Sequence, residues 1–288
     1  MTQRLPEDQN WISTTHFSRR AAMAGTVAGV GYALSVQPVS ATALSTDAAG
    51  LDEGMVSFKT GDIMMAAHRA RPAGAKKAPV IFVIQEVFGL HEWVRDICRR
   101  LAHAGYYAIA PDLYQRQGDA TKVSDFKLLF ANIVSKVPDV QVMHDLDALG
   151  GFVGSDGGDG ARIGITGFCW GGRITWLYAA HNPKVKAGVA FYGRLVGAPN
   201  PLQPHNPIDD VFRIKQPVLG LYGALDKGIT QPDVERMKAA LVAAKSRSSI
   251  TVFPGADHGF MADYRPSYNE AAAKTAWAQT LGWFKKYV

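Results

Sequence analysis

The chain has 288 residues, 47% of them hydrophobic and 19% charged, which is the composition of a globular protein that can bury one large core. Its formal net charge is +6, but no run of Lys and Arg is long enough to form a nucleic-acid groove. We therefore expect no nucleic-acid partner and at most a mild attraction for anionic substrates. The two cysteines, Cys98 and Cys169, exclude a disulfide framework, although a single bridge between them stays open. No Cys or His spacing indicates a metal site.

Residues 1–43 have the pattern of an export signal. Ser18-Arg19-Arg20 precedes a weakly apolar run, Ala21 to Leu34, and Ala41-Thr42-Ala43 offers an A-x-A cleavage site. This arrangement resembles a twin-arginine signal, which predicts export by the twin-arginine machinery to the periplasm or the medium. The apolar run is shorter than the roughly 20 residues of a membrane-spanning helix, so we expect no stable span, with a permanent anchor as the alternative. Residues 44–54 are predicted to be a flexible leader.

The pattern from Met55 onward alternates strands with helices. Val56, Phe58 and the run Ile63 to Ala67, on either side of Thr60-Gly61-Asp62, predict an antiparallel hairpin at a sheet edge. The continuous apolar run Pro79 to Ile84 then predicts a strand covered on both faces, as in parallel sheets. Similar runs predict strands at Tyr107–Ala110, Ile163–Thr166, Val185–Phe191, Val218–Tyr222 and Ile250–Phe253.

Helical spacing of apolar residues occurs between these strands. It predicts helices at Glu92–Ala104, Val140–Val153, Gly171–Ala180, Pro232–Ala244 and Ser267–Lys286. Alternation of this kind predicts an α/β protein with a mostly parallel central sheet and helices on both faces. Residues 55–288 are thus expected to form one domain, in which Gly157 to Gly160 is a loop and not a linker.

The most informative stretch joins an apolar strand to a helix through Gly167-Phe168-Cys169-Trp170-Gly171. A Gly-x-Cys-x-Gly sequence in this context predicts a nucleophile elbow, in which small residues allow a sharp turn that raises the Cys169 sulfur above the sheet edge. The N-terminal end of the helix and the backbone N–H of Trp170 would favour a thiolate and later an oxyanion. The alternative is a buried, inert cysteine.

A cysteine nucleophile needs a base and a group that orients that base, and both follow the nucleophile along the chain in such proteins. His258 lies in a loop after the last predicted strand, where this base is expected; the alternative is a surface histidine. Asp226 follows the preceding strand and would hold the imidazole, with Asp257 as its competitor. The other histidines, including His68, His91, His181 and His205, are expected to be structural or on the surface.

Five sequence segments carry a resemblance to the dienelactone hydrolase (carboxymethylenebutenolidase) family, over roughly Met55 to Val288. They are Gln85-Glu86-Val87-Phe88-Gly89, Ala110 to Arg116, Gly167 to Gly172, Asp226, and Asp257-His258-Gly259-Phe260. The resemblance implies an α/β-hydrolase fold, a small-molecule ester or lactone as substrate, and no cofactor or metal.

The resemblance also assigns roles. Glu86 corresponds to a glutamate that rests against the nucleophile and shuttles its proton, and burial is expected to raise its affinity for that proton. The backbone N–H of Val87 would join that of Trp170 as the oxyanion hole. Arg116 corresponds to an arginine that binds the substrate carboxylate. The alternatives are a strand-end residue that caps the next helix for Glu86 and a surface arginine for Arg116.

One departure from the family pattern bears on the substrate. Members that cleave dienelactone have a second arginine four residues after the catalytic histidine, where this chain has Ala262. Arg265 or Arg194 could supply the missing charge, and the departure argues against dienelactone itself as the substrate. A broad carboxylesterase or thioesterase, and a non-enzymatic binding protein on the same scaffold, stay open, as does the oligomeric state. The hydrolase interpretation requires the Cys169 sulfur to be reachable and in contact with the imidazole.

Overall fold

The computed structural model describes residues 45–288, so the predicted signal and its cleavage site lie outside the described residues. The eight strands of the sheet lie in the order β1-β2-β4-β3-β5-β6-β7-β8. Their bounds are β1 Leu51–Thr60, β2 Ile63–Pro72, β3 Ala78–Ile84, β4 Tyr107–Pro111, β5 Gly158–Phe168, β6 Val185–Phe191, β7 Val218–Gly223 and β8 Ser249–Phe253. The helices are α1 Glu92–His103, α2 Phe126–Asn132, α3 Asp139–Val153, α4 Trp170–His181, α5 Gln231–Ala243 and α6 Glu270–Tyr287.

The mostly parallel sheet confirms the predicted α/β class. From β4 to β8 every neighbouring pair of strands is parallel, whereas β1, β2 and β4 pair antiparallel. All residues of β4 and β7 are buried, which explains why these strands are continuous apolar runs without alternation. Because the carboxyl ends of the parallel strands meet at one edge, the loops after β3, β5, β6, β7 and β8 converge there.

The edge hairpin is confirmed, but it begins earlier than expected. Leu51 pairs with Pro72, so the predicted flexible leader is wrong for residues 51–54. Asp52 explains the difference, because it accepts hydrogen bonds from the guanidinium of Arg71, at 2.7 Å, and also from Arg69. Arg69 and Arg71 lie on the neighbouring strand β2. Their hydrogen bonds to Asp52 add to the backbone pairing of the start of β1, whose residues are mostly small and polar.

The loop predicted at residues 157–160 is also partly wrong, because β5 begins at Gly158. Gly158 pairs with Ala78 before the register shifts between Pro79 and Val80. A Cβ on Gly158 would lie 2.6 Å from a Val80 methyl, so glycine is required here by close packing. The adjacent Gly157 and Gly158 predict a loop from the sequence, but Gly158 is the first residue of β5.

Helix α2 was not predicted. It has seven residues, of which only Leu129 is buried, so there is almost no apolar periodicity to detect. Its start is set by Asp125, whose side chain accepts hydrogen bonds from the backbone N–H groups of Lys127 and Leu128. Within residues 45–288, none of the helices combines the length and the apolar character needed to cross a membrane.

A buried ion pair joins the first turn of α3 to α4. Both guanidinium nitrogens Nη1 and Nη2 of Arg173 donate to the Asp139 carboxylate at 2.7 Å, and Nη2 also donates to the backbone oxygen of His205 at 2.7 Å. The side chains are 3% and 12% exposed, so neither charge is solvated by bulk water. This bidentate contact fixes the helix that follows Cys169.

We expect Asp139→Ala to lower the free energy of unfolding by about 3–5 kcal/mol, because it leaves a buried guanidinium without its counter-charge. Equilibrium unfolding in denaturant measures the loss. Glu270→Ala is the matched control, since it removes one partner of an exposed i,i+4 pair with Lys274 and should change stability far less. Equal losses in the two variants would contradict a structural role for the buried pair.

Candidate active site

Cys169 occupies the sharp turn between β5 and α4. Its backbone angles are φ 57° and ψ −114°, a conformation that residues other than glycine rarely adopt. The backbone N–H of Cys169 donates to the oxygen of Phe191, at 3.0 Å, which ties the turn to the end of β6. Backbone strain held by neighbouring packing is typical of functional turns, and this is the geometry that the Gly-x-Cys-x-Gly sequence predicts.

Glycines around the turn are required by the close approach of backbone to backbone. A Cβ on Gly167 would overlap the carbonyl of Gly171, and one on Gly171 would overlap the carbonyls of Ile84 and Gln85. A Cβ on Gly172 would overlap the carbonyl of Phe191. Helix α4 can therefore begin directly against the ends of β3 and β6 only because these positions carry no side chain.

His258 lies between Asp226 and Cys169. Its ring Nδ1 lies 2.8 Å from Oδ2 of Asp226, and the imidazole also forms a hydrogen bond with Cys169. The other oxygen of Asp226 accepts from the backbone N–H groups of Gly228, at 2.8 Å, and Ile229, at 3.0 Å. Asp257 instead accepts from the backbone N–H of His258, at 2.6 Å. The structure thus brings Cys169, His258 and Asp226, the predicted nucleophile, base and acid, together, with Asp226 rather than Asp257 against the ring.

The charge of this cluster is set by its partners. Burial alone would lower the pKa of His258, but the charge of Asp226, the interaction with Cys169 and the hydrogen bonds to both raise it to about 10. The imidazole is therefore held as a cation at neutral pH.

Cys98 lies elsewhere in the core, where burial raises the pKa of its thiol. Both cysteines are free, so the bridge between Cys98 and Cys169 does not form.

Access differs from expectation. The sulfur of Cys169 contacts the imidazole of His258. Both residues are 0% exposed, so the sulfur is not reachable from solvent in this conformation. The least buried side chains beside the turn are Trp170, at 6%, and Phe88, at 7%. A substrate can reach Cys169 only if side chains above it move.

Glu86 lies in a second buried charge cluster next to this one. Its Oε1 accepts from Nη2 of Arg265 at 2.9 Å, its Oε2 accepts from the Tyr264 hydroxyl, and Nε2 of His91 lies 3.6 Å away. Burial alone would raise the pKa of Glu86, but the charge of Arg265 and the contacts with His91 and Tyr264 lower it to about 2. The expectation that Glu86 has a raised affinity for a proton is therefore wrong, because of an arginine not foreseen at this place.

Arg265 reaches Glu86 along the backbone of Gly259. Gly259 has φ +78°, and a Cβ on it would lie 2.9 Å from Cδ of Arg265, so the glycine after His258 leaves room for the arginine. The Arg265 guanidinium lies 5.2 Å from the Phe88 ring centroid. Burial alone would lower the pKa of Arg265, but Glu86, Tyr264 and Cys169 raise it, so the cation lies within electrostatic range of the sulfur.

Comparison with known proteins shows the family of this chain. The profile of the Dienelactone hydrolase family matches residues 65–288. The chain belongs to the dienelactone hydrolase family. It is therefore an α/β-hydrolase, and an enzyme, as the sequence predicted.

Individual relatives of this hydrolase are similar over most of their length. A Methylorubrum extorquens protein with the provisional name carboxymethylenebutenolidase is 52% identical over 275 residues, covering 95% of this chain and 94% of its own. A Salmonella typhimurium protein with the same provisional name is 49% identical over 258 residues, covering 89% of this chain and 96% of its own. A crystal structure of a provisionally named dienelactone hydrolase from Klebsiella pneumoniae has a TM-score of 0.81 at 52% identity, covering 82% of this chain and 99% of that one.

The structure does not support the predicted role of Arg116. Its guanidinium donates to Asp145 at 2.8 Å, to Asp62 at 3.1 Å and to the backbone oxygen of Thr60 at 3.2 Å. The Asp145 side chain is 1% exposed. The donors of Arg116 are thus taken up by the hairpin turn and α3, and its role in binding a substrate carboxylate stays a prediction. Arg194 donates to Gln203, at 3.1 Å, in the loop after β6.

The two predicted oxyanion donors come from segments that meet at the turn. Trp170 is the first residue of α4, and Val87 lies in the loop after β3, where it is 0% exposed. The packing of Gly171 against the carbonyls of Ile84 and Gln85 holds these segments together. Their role as oxyanion donors stays a prediction.

Three residues near the site were given no role in it by sequence reasoning. Tyr264 and Tyr192 were assigned no role, and His91 was expected to be structural or on the surface. His91 is 7% exposed and its ring lies 5.4 Å from that of Tyr264. The sequence signal was weak, because each residue reaches the site through a long-range contact and not through a motif.

We expect Asp226→Asn to lower the pKa of His258 from about 10 toward its ordinary 6.5, since the carboxylate charge is lost. A raised pKa in the folded state means that the charged pair stabilises the fold fully below pH 6.5, and that this contribution is lost as the pH rises through about 10. Imidazole NMR titration measures the pKa, and denaturant unfolding near pH 6 and above pH 10 measures the stability difference from wild type.

Asp257→Asn is the control for this variant, because that carboxylate contacts the backbone N–H of His258 and not its ring. It should leave the His258 pKa much closer to the wild-type value. A stability difference between wild type and Asp226→Asn that is the same at both pH values would contradict the charged pair.

Proposed function

We propose that this enzyme hydrolyses a carboxylic ester or lactone by acyl transfer through Cys169, with His258 as acid and base and Asp226 as the group that orients it. The observation that carries the proposal is the contact of one buried imidazole with both a carboxylate and the thiol of a strained strand-to-helix turn. Asp226 is itself fixed by two backbone N–H groups, so the base is held in one orientation.

The first step forms a thioester. The sulfur of Cys169 attacks the carbonyl carbon as a thiolate, while His258 already holds the proton, and the negative oxygen is stabilised by the N–H groups of Val87 and Trp170. The C–O bond then breaks, and His258 gives its proton to the leaving alkoxide. In the second step His258, now neutral, takes a proton from the water that attacks the thioester. The C–S bond breaks, the acid is released, and the pair of thiolate and protonated imidazole is restored.

The role proposed for Glu86 depends on its partners. As long as Arg265 and Tyr264 bind its two oxygens, Glu86 is held as a carboxylate with little affinity for a proton. It can take the thiol proton only after these contacts weaken, which agrees with a shuttle that acts when substrate is bound. In the resting enzyme the proton is therefore held by His258 and not by Glu86.

The substrate is proposed to be a small ester or lactone with at most one anionic group. Arg116 is engaged by Asp145 and Asp62, and Ala262 stands where dienelactone-cleaving members have an arginine. Glu86, Tyr264 and Cys169 all raise the pKa of Arg265, which places its positive charge close to the proposed nucleophile. A broad carboxylesterase or thioesterase is the second candidate, and hydrolysis of a panel of lactones, alkyl esters and thioesters separates the two.

We expect Cys169→Ala to reduce hydrolysis of a simple aryl ester by about 1,000-fold or more, because no other residue replaces the nucleophile. Cys98→Ala is the matched control, since it removes the other buried thiol, and it should retain activity. Steady-state kinetics and circular dichroism together test whether activity is lost with the fold intact. Retained turnover in Cys169→Ala would contradict the proposed mechanism.

Export through the twin-arginine route is a further part of the proposal, and it rests on the sequence of residues 1–43. We expect replacement of Arg19 and Arg20 by lysine to retain the precursor inside the cell, because the arginine pair is the feature that the route recognises. Fractionation with immunodetection of the mature and precursor chains measures this. Unchanged export of the Lys-Lys variant, or a wild-type chain that stays in the cytoplasm, would contradict it.

A further inference from the structure

We propose that Tyr192 is a further catalytic residue, whose hydroxyl donates a hydrogen bond to the leaving-group oxygen of the ester or lactone. This inference rests on the proposed function and deepens it. It follows from the strained backbone conformation of Tyr192, from the position of its ring beside His258 and from its protonated hydroxyl.

The backbone of Tyr192 is strained in the same way as that of Cys169. Tyr192 follows the last residue of β6 and has φ 36°, in the region that favours glycine. A Cβ on the next residue, Gly193, would overlap the backbone of Gly172 and Arg173 at the start of α4. The chain is thus pressed against the helix that carries the nucleophile, and the strained conformation places the Tyr192 ring in the site.

The ring of Tyr192 forms part of the wall of the site. It is 0% exposed, and its centroid lies 5.1 Å from that of His258 and 5.5 Å from that of Phe260. Burial raises the pKa of the hydroxyl well above its ordinary value, with the charges of Glu86 and Cys169 adding to the rise and Arg265 opposing it. The phenol therefore stays protonated, as a hydrogen-bond donor, at neutral pH.

The hydroxyl of Tyr192 has no hydrogen-bond partner among the described residues of the protein. Two other buried tyrosines near the site have protein partners, since Tyr222 donates to the Gly193 oxygen at 3.0 Å and Tyr264 donates to Glu86. The Tyr114 hydroxyl interacts with Gln85. A buried donor without a protein partner is unfavourable for stability. It is explained if the partner is a substrate atom, which is present only during the reaction.

The chemistry of the reaction selects that atom. The acyl carbon bears two oxygens, and the carbonyl oxygen is assigned to the N–H groups of Val87 and Trp170. The leaving oxygen must face His258 to receive its proton, and the Tyr192 ring packs beside that imidazole. The hydroxyl would therefore meet the leaving oxygen as the C–O bond breaks and the C–S bond forms. Tyr192 keeps its proton throughout, since the proton that reaches the alkoxide comes from the thiol through His258.

The test is Tyr192→Phe, which removes one oxygen atom, assayed on acetate esters whose alcohols range from 4-nitrophenol to ethanol, together with a simple lactone. We expect kcat/KM to fall about 100-fold for the poor leaving groups and less than about 3-fold for 4-nitrophenol, which needs no help to depart. Tyr106→Phe is the matched control. Tyr106 is a buried tyrosine that precedes β4 and packs on Phe284, at the opposite end of the sheet, and all substrates should be cleaved as by wild type.

Thermal unfolding gives a second measurement. The Tm of Tyr192→Phe should be unchanged or higher than wild type, because the variant removes an unpartnered polar atom from the core. A fall of several degrees would show that the hydroxyl has a structural partner, and a loss of kcat/KM that is absent or uniform across the series would overturn the assignment. If wild type is active, Cys169→Ala is not, and Tyr192→Phe shows no leaving-group dependence, this inference alone fails. A wild-type chain that cleaves none of the esters overturns the proposed function with it.

Discussion

The structure of the site depends on one steric constraint, which is that the start of α4 has no space for side chains where it meets β3 and β6. Gly171 lies against the carbonyls at the end of β3, and Gly172 lies against the Phe191 carbonyl at the end of β6. Because backbone meets backbone at both places, the connecting turn must be sharper than ordinary residues allow. The strain falls on Cys169 and Tyr192, both with positive φ. The constraint that exposes the sulfur to the imidazole therefore also directs a tyrosine toward the same space.

Two buried ion pairs then determine the electrostatics of that space. Asp226 holds His258 as a cation, and Arg265 holds Glu86 as an anion. Each charge is compensated by a partner within 2.9 Å, which keeps the desolvation of four ionisable groups tolerable. Both cations also interact with Cys169. The loops after β3, β7 and β8 contribute these groups, so the charge balance exists only once the sheet has assembled.

The parts of this enzyme that the sequence predicts are those set by local pattern. Buried parallel strands appear as apolar runs, and the bounds of β6 are those expected, because such runs need no partner to be detected. The turn at Cys169, Asp226 and His258 each follow a strand at a recognisable place. The contacts that the sequence did not predict depend on distant partners. Arg116 is engaged by residues of the hairpin and α3, and Arg265 crosses to Glu86, 179 positions away along the chain. Spacing along the sequence carries no information about such contacts.

The same packing suggests where the enclosed site opens. The loop after β8 is joined to the segment containing β3 and α1 by the Glu86–Arg265 pair and by a second ion pair, between Arg100 and Asp263. Separation of these two segments would leave buried charges without their partners, which is energetically unfavourable. Tyr114 interacts with Cys169, and its ring lies in edge contact with that of Trp170 at 4.9 Å. Movement of an aromatic side chain exposes apolar surface, at about 25 cal/mol per Å², but leaves no charge without a partner. Rotation of Trp170, the less buried of these two residues and the one that follows Cys169, therefore opens the site at a lower free energy than separation of the ion pairs.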